Sequence, residues 1–134
     1  MSGPDTDPRL GMSVAHRRYV SRADVRYAGD LVNGAYALAG FGDAVTELAI
    51  RTDGDEGLLA GYRAVEFHAP IRAGDVVEFT ATVTRVRTRS RTVALTCSVL
   101  CRATPERGVT AAQPLQPPVV AVTAEATVVV PQAG

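Results

Sequence analysis

The stretch Tyr27–Arg51, YAGDLVNGAYALAGFGDAVTELAIR, decides the fold. It opens on a glycine-containing turn, Tyr27-Ala28-Gly29-Asp30, in which Asp30 is placed to cap a helix beginning at Leu31. At about 100° per residue, Leu31, Ala35, Leu38, Phe41, Val45 and Leu48 form one broad apolar face. Asn33, Tyr36, Gly40, Asp43 and Glu47 cluster in a narrow arc on the other side. Gly34, Gly40 and Gly42 each weaken an isolated helix by about 1 kcal/mol relative to alanine. They imply a helix held by surrounding structure and closely approached along its backbone. Asp53-Gly54-Asp55-Glu56-Gly57 ends it. That acidic run lacks the length and the final glutamate of an EF-hand calcium loop.

Outside this stretch the chain is almost entirely β-like. Residues 1–12 are rich in Gly, Pro and Asp and read as a disordered leader, with the folded domain over residues 13–132. Ala15 to Val25 is a charged, weakly alternating strand suited to an edge. Val65 and Phe67 point one way and Glu66 and His68 the other. PIRAGD, from Pro70 to Asp75, is a turn, and Val77, Phe79, Ala81 and Val83 form the inner face of the next strand. A hairpin around Thr88-Arg89-Ser90 leads to Val93, Leu95, Cys97, Val99 and Cys101 on the same alternation. Ala111 to Pro118 is a proline-rich loop, and Val120, Val122, Ala124, Ala126, Val128 and Val130 face inward on the last strand. One long helix followed by about four antiparallel strands gives an α+β domain whose sheet wraps the helix, with no internal repeat.

Composition narrows the function classes. Acidic and basic residues balance at 14 each, so bulk attraction to nucleic acid or to an anionic membrane is not expected. No apolar run approaches the ~18 residues that cross a bilayer, and MSGPDTDPRLG lacks the apolar core of a signal peptide, so a cytoplasmic location is expected. Cys97 and Cys101 lie too close along one strand for a strain-free disulfide and read as structural thiols. Two thiols and two scattered histidines give no metal-ligand spacing. No metal or cofactor is expected.

Four strings carry a specific resemblance: YAGDLVNGA, FGDAVTELAIRTDGDEGL, VEFHAPIRAGD and VVAVTAEATVVVP. Together they resemble the 3-aminobutyryl-CoA ammonia lyase family over residues 16–131. The resemblance implies a hot-dog fold, an antiparallel sheet wrapped around one central helix. It also implies a homodimer, or a higher oligomer of dimers, with active sites at the subunit interface built from the start of the helix and residues of the partner chain. The activity implied is reversible addition or elimination of a small amine at the β-carbon of an acyl-CoA or acyl carrier protein thioester. Hydrolysis follows in some relatives. A simple acyl thioesterase and a non-catalytic acyl-binding module are the alternatives. Arg26 stands where the family pattern has histidine, and the Asn and Asp of that pattern are exchanged as Asp30 and Asn33. An arginine does not act as a base near neutral pH. Phe41 occupies the place where thioesterases often carry a carboxylate, and Asp43 lies two positions on, rotated by about 200°.

Either reaction needs donors at a thioester carbonyl, and the free N–H groups of a first helical turn near Asn33 to Ala35 supply them. Gly34 lets the thioester approach, its alternative being a glycine packed beneath the next strand. Asp30, Tyr27 and His68, in that order, are the candidate proton carriers, and Asn33 holds a carbonyl, water or carboxylate through its amide. Arg26 and His68 are candidate substrate contacts. Asp43 and Glu47 are structural, with Glu47 paired to Arg51. Arg85, Arg87, Arg89 and Arg91 surround one hairpin, where they hold CoA phosphates, meet an acidic carrier protein, or simply face solvent. No aromatics interleave to stack bases.

Overall fold

A computed structural model describes residues 6–131. The elements in chain order are β1 (Ser13–Tyr19), a 3₁₀ turn (Arg22–Asp24), β2 (Val25–Tyr27), β3 (Leu31–Val32), α1 (Gly34–Asp53), β4 (Leu58–Phe67), β5 (Val76–Val86), β6 (Ser90–Ala103), a second 3₁₀ turn (Pro105–Arg107) and β7 (Ala112–Val129). Five strands pair antiparallel in the order β1-β5-β6-β7-β4, and β2 pairs with β3 in a separate ribbon. One face of the large sheet packs on α1, as expected from one long helix among alternating strands. No helix among the described residues is long and apolar enough to cross a membrane.

The inner face is built by strand alternation. Val77, Phe79, Ala81 and Val83 of β5 meet Val93, Leu95, Cys97 and Val99 of β6, all buried, with Phe41 of α1 edge-on to Phe79. The alternation breaks at Ala121, where both Ala121 and Val122 are buried and Val120 is exposed. The cause is a register shift between Cys97 and Ser98 against β7. Ala112 to Pro118 is not the loop expected from its prolines but the first part of β7, paired with the end of β6 across a second shift. Prolines are tolerated where a strand leaves regular pairing.

The helix also differs in its start and its faces. Asp30 does not cap it; Asn33 does, with Oδ1 accepting from Tyr36 N at 3.2 Å. Leu31 and Val32 are diverted into pairing with β2, and Asp30 has a left-handed φ of 60°, outside the extended geometry that an N-cap needs. The buried face also differs from the one expected. Tyr36 and Gly40, expected on the polar arc, are buried, while Ala35 is exposed. Gly54 closes the helix in the left-handed region, as expected of a glycine after the last turn.

Of the leader expected over residues 1–12, residues 1–5 lie outside the described residues, as does residue 132 of the domain. Residues 6–12 are folded onto it. Arg9 donates to Asp7 and to Asp53 at the end of α1, and Leu10 and Met12 pack against the core.

Candidate active site

The start of α1 is built by two backbone ties rather than by helix propensity. Val32 N donates to Ile71 O at 3.1 Å and Ala73 N to Asp30 O at 2.9 Å, so the PIRAGD turn grips the residues leading into the helix. The turn is itself held by Asp75. Its buried carboxylate accepts from Arg72 N at 2.8 Å and from Arg102 at 2.9 and 3.0 Å, and Arg102 also donates to Pro70 O.

Between this turn, the helix start and the end of β4 lies a cleft of about 330 Å³ whose lining includes Asn33, Gly34, Phe67, His68, Ile71 and Val122. Its walls are mostly apolar, as in small-molecule sites generally. The Gly34 and Ala35 N–H groups belong to the first helical turn and have no intrahelical acceptor. Tyr36 N is taken by the Asn33 cap. Gly34, which lines the cleft, thus brings the positive end of the helix dipole to it. Gly34 lines the cleft and also packs beneath the next strand, where a Cβ would come 2.8 Å from Phe67 Cζ.

His68 is the one residue with a titratable side chain among the described residues that line this cleft. Its backbone N donates to Ala121 O at 2.7 Å, and its Nε2 lies 2.8 Å from Thr123 Oγ1. Tyr27 and Asp30 do not line it: Tyr27 is 60% exposed and the Asp30 side chain 59%, with Asp30 carrying Arg22 at 3.5 Å. Arg26 lies beside Tyr27 on β2, exposed, and Ala35 turns its side chain to solvent. The structure therefore brings Asn33, Gly34 and His68 together and leaves Arg26, Tyr27, Asp30 and the Ala35 side chain outside a single chain's cleft. Ile71 and Val122 were missed as lining residues. The PIRAGD string signals a turn but not which helix it grips.

The other polar groups are engaged elsewhere. Asp43 meets Arg18 at 3.1 Å and does not reach the cleft. Glu47 pairs with Arg51 as expected and also with His16, both at 2.6 Å; Arg51 and then His16 lower its pKa. Burial pushes the Cys97 thiol up to about 12, which keeps it out of the thiolate form. The four hairpin arginines do not act as one group. Arg91 is buried against Asp53, donating at 2.8 and 3.1 Å, and is a structural residue. Arg85 and Arg87 line a second groove, and Arg89 lines neither.

Comparison with known proteins bears on this geometry. The family model described as FAS1-like, dehydratase domain region, matches residues 11–113. A 3-aminobutyryl-CoA ammonia lyase of Acetoanaerobium sticklandii is 39% identical over 113 residues, spanning 84% of this chain and 90% of that protein. The structure of a beta-alanyl-CoA:ammonia lyase from Clostridium propionicum superposes with a TM-score of 0.85 at 32% identity, covering 90% of this chain and 86% of that one. A hexameric hotdog fold thioesterase of Campylobacter jejuni superposes with a TM-score of 0.70 at 17% identity, covering 87% and 81%. These likenesses show the hot-dog fold that the four strings implied.

Proposed function

The chain belongs to the family described as FAS1-like, dehydratase domain region, and on that premise we propose that it catalyses reversible amine addition and elimination at the β-carbon of an acyl thioester. The likeness to two ammonia lyases supports the reaction. The observation that carries it is the helix start, where Gly34 of the first turn lines a mainly apolar cleft together with His68 and with no carboxylate among the described lining residues.

In the elimination direction, the thioester oxygen accepts from the Gly34 and Ala35 N–H groups. His68, turned from Thr123 toward the cleft, takes the α-proton as negative charge grows on that oxygen. The β-carbon–nitrogen bond then breaks, its electron pair leaves with ammonia, and the protonated His68 gives its proton to the departing amine. The α,β-unsaturated thioester remains intact. Addition is the reverse. Asn33 fixes the first turn as cap, so the donors are oriented before substrate arrives.

We assign the thioester to coenzyme A or an acyl carrier protein, and the enzyme to a homodimer formed through β4. That strand is an outer edge of the sheet and exposes Leu58, Leu59 and Phe67. In the dimer, Tyr27 and Asp30 are the groups presented to the amine, because both are exposed beside the cleft rim at Leu31. Hydrolysis is the second reading, since the same donors would stabilise a tetrahedral oxyanion. No described residue lining the cleft offers a carboxylate to activate water, which ranks it lower.

Incubation with crotonyl-CoA and either ammonia, glycine or no amine separates the readings by mass spectrometry. A 3-amino adduct that retains CoA is the expected product. Free CoA without adduct indicates the thioesterase, and binding without turnover indicates an acyl-binding module. Full activity in Asp30→Asn would remove Asp30 as a contact of the amine.

A further inference from the structure

The face of the sheet turned away from α1 carries a groove of about 420 Å³ lined by Arg63, Arg85, Arg87, Glu125 and the hydroxyls of Thr84, Ser90, Thr92 and Thr127. Its position follows from register. Glu125 and Thr127 alternate with the buried Ala124, Ala126 and Val128, and Thr92 lies between the buried Arg91 and Val93. On β5 the inward parity of Val77, Phe79, Ala81 and Val83 would carry Arg85 into the core. A bulge between Val83 and Arg85 prevents this: Thr84 and Arg85 are both exposed and Val86 takes the inner place. The bulge thus sets Thr84, Arg85 and Arg87 on one outer surface, with Thr84 Oγ1 held to Thr92 O at 3.3 Å.

Charge in this groove is unbalanced. Glu125 is occupied by Arg63 at 2.8 Å, whereas Arg85 and Arg87 have no ion pair or side-chain hydrogen bond among the described residues. Two uncompensated guanidinium groups remain beside four hydroxyl-bearing residues. The thioester cleft is on the other face. Val122 of the cleft and Thr127 of the groove are five residues apart on β7, about 17 Å at the usual rise per residue. The groove is therefore not a continuation of the cleft within one chain.

We infer that the outer groove is a phosphate monoester site in which Arg85 and Arg87 are the charged anchors and the threonine and serine hydroxyls are secondary donors. A phosphate monoester carries close to two negative charges and three acceptor oxygens, which matches two free guanidinium forks better than a carboxylate does. The hydroxyls let the same pocket satisfy the oxygens that the arginines do not reach. This assignment is independent of the reaction at the cleft. The phosphate is either free or the 3′-phosphate of coenzyme A.

Titration of the full chain with inorganic phosphate at constant ionic strength, followed by amide NMR, tests it. Saturable shifts confined to Arg85–Thr92 and Glu125–Thr127 are expected. They weaken by about tenfold or more in Arg85→Ala/Arg87→Ala, the loss of charge-assisted hydrogen bonds, and are unchanged in Arg107→Ala elsewhere on the surface. CoA and dephospho-CoA identify the source. Groove shifts with CoA alone assign the 3′-phosphate, and equal behaviour of the two with continued response to phosphate assigns a free monoester. Absence of saturation, or saturation unaltered by Arg85→Ala/Arg87→Ala, overturns the site. Shifts at the groove with an acidic acyl carrier protein but none with phosphate or CoA also overturn it, in favour of a protein surface.

Discussion

Arg102 grips the buried carboxylate of Asp75 with two hydrogen bonds, Nε to Oδ1 at 3.0 Å and Nη2 to Oδ2 at 2.9 Å, and reaches Pro70 O with the same Nη2. This one side chain couples β6 to the turn that walls the cleft and, through Ile71 O, to the approach of α1. Arg102→Lys keeps the charge but not the two-pronged geometry. It should lower kcat/KM by about tenfold or more through misplacement of the cleft wall, with a small loss of melting temperature. Arg102→Ala leaves Asp75 buried and unpaired and should cost about 3 kcal/mol in denaturant unfolding.

Two glycines of the same helix should respond oppositely to one methyl group. A Cβ on Gly40 would overlap the ring of Phe79, which is fully buried and has nowhere to move. Gly40→Ala should destabilise by about 2 kcal/mol, read from urea unfolding. A Cβ on Gly34 meets the ring of Phe67, which is 59% exposed on the single chain and so is not locked by the core as Phe79 is. Gly34→Ala should change stability by less than about 1 kcal/mol and instead raise KM for the thioester as the ring moves over the cleft.

Asn33 separates capping from catalysis. Aspartate caps a helix as well as asparagine, so Asn33→Asp should keep the melting temperature within a few degrees. Its negative charge beside the Gly34 and Ala35 donors opposes charge building on the thioester oxygen, and kcat should fall by about a hundredfold. Asn33→Ala should lose about 1 kcal/mol of stability. Equal kinetics in Asn33→Asp and wild type would show that no anion develops there.

The Asp53–Arg91 pair predicts acid behaviour. Burial raises the Asp53 carboxyl, but the Arg91 hydrogen bonds and charge, with help from Thr52 and Arg9, outweigh it and leave the pKa lowered. A depressed folded-state pKa gives stability that is present above the unfolded value and lost as pH falls through the folded one. Asp53→Asn should therefore cost about 3 kcal/mol near pH 7, with the gap to wild type narrowing below about pH 4. Thermal melts across that range check the sign.

Much of this molecule is legible in its residues. The inward faces of β5 and β6 follow from strict alternation, because a strand buried on one face leaves no freedom in parity. Where a bulge intervenes, parity misleads: Val120 is exposed and Arg85 faces outward, and nothing local in VVAV or TRVR marks the extra residue. The helix start was misplaced because Asp30 and Asn33 are both good caps. The choice between them was made by backbone ties to Ile71 and Ala73, some forty residues away in sequence. The same ties bring Asn33 and Gly34 to a cleft whose other wall, Ile71, lies too far along the chain for spacing to pair with them. Arg91 looked like its exposed neighbours. Only the fold reveals that Asp53 waits beneath it.

The central claim is that this cleft breaks a carbon–nitrogen bond and leaves the thioester whole. Its most direct measurement follows 3-aminobutyryl-CoA with the purified protein, recording enoyl-thioester absorbance, ammonium and free CoA together. Enoyl thioester and ammonium should rise one to one with no early release of CoA, and both should be slowed in Asn33→Asp. Release of free CoA from the 3-amino thioester without any enoyl product would contradict it.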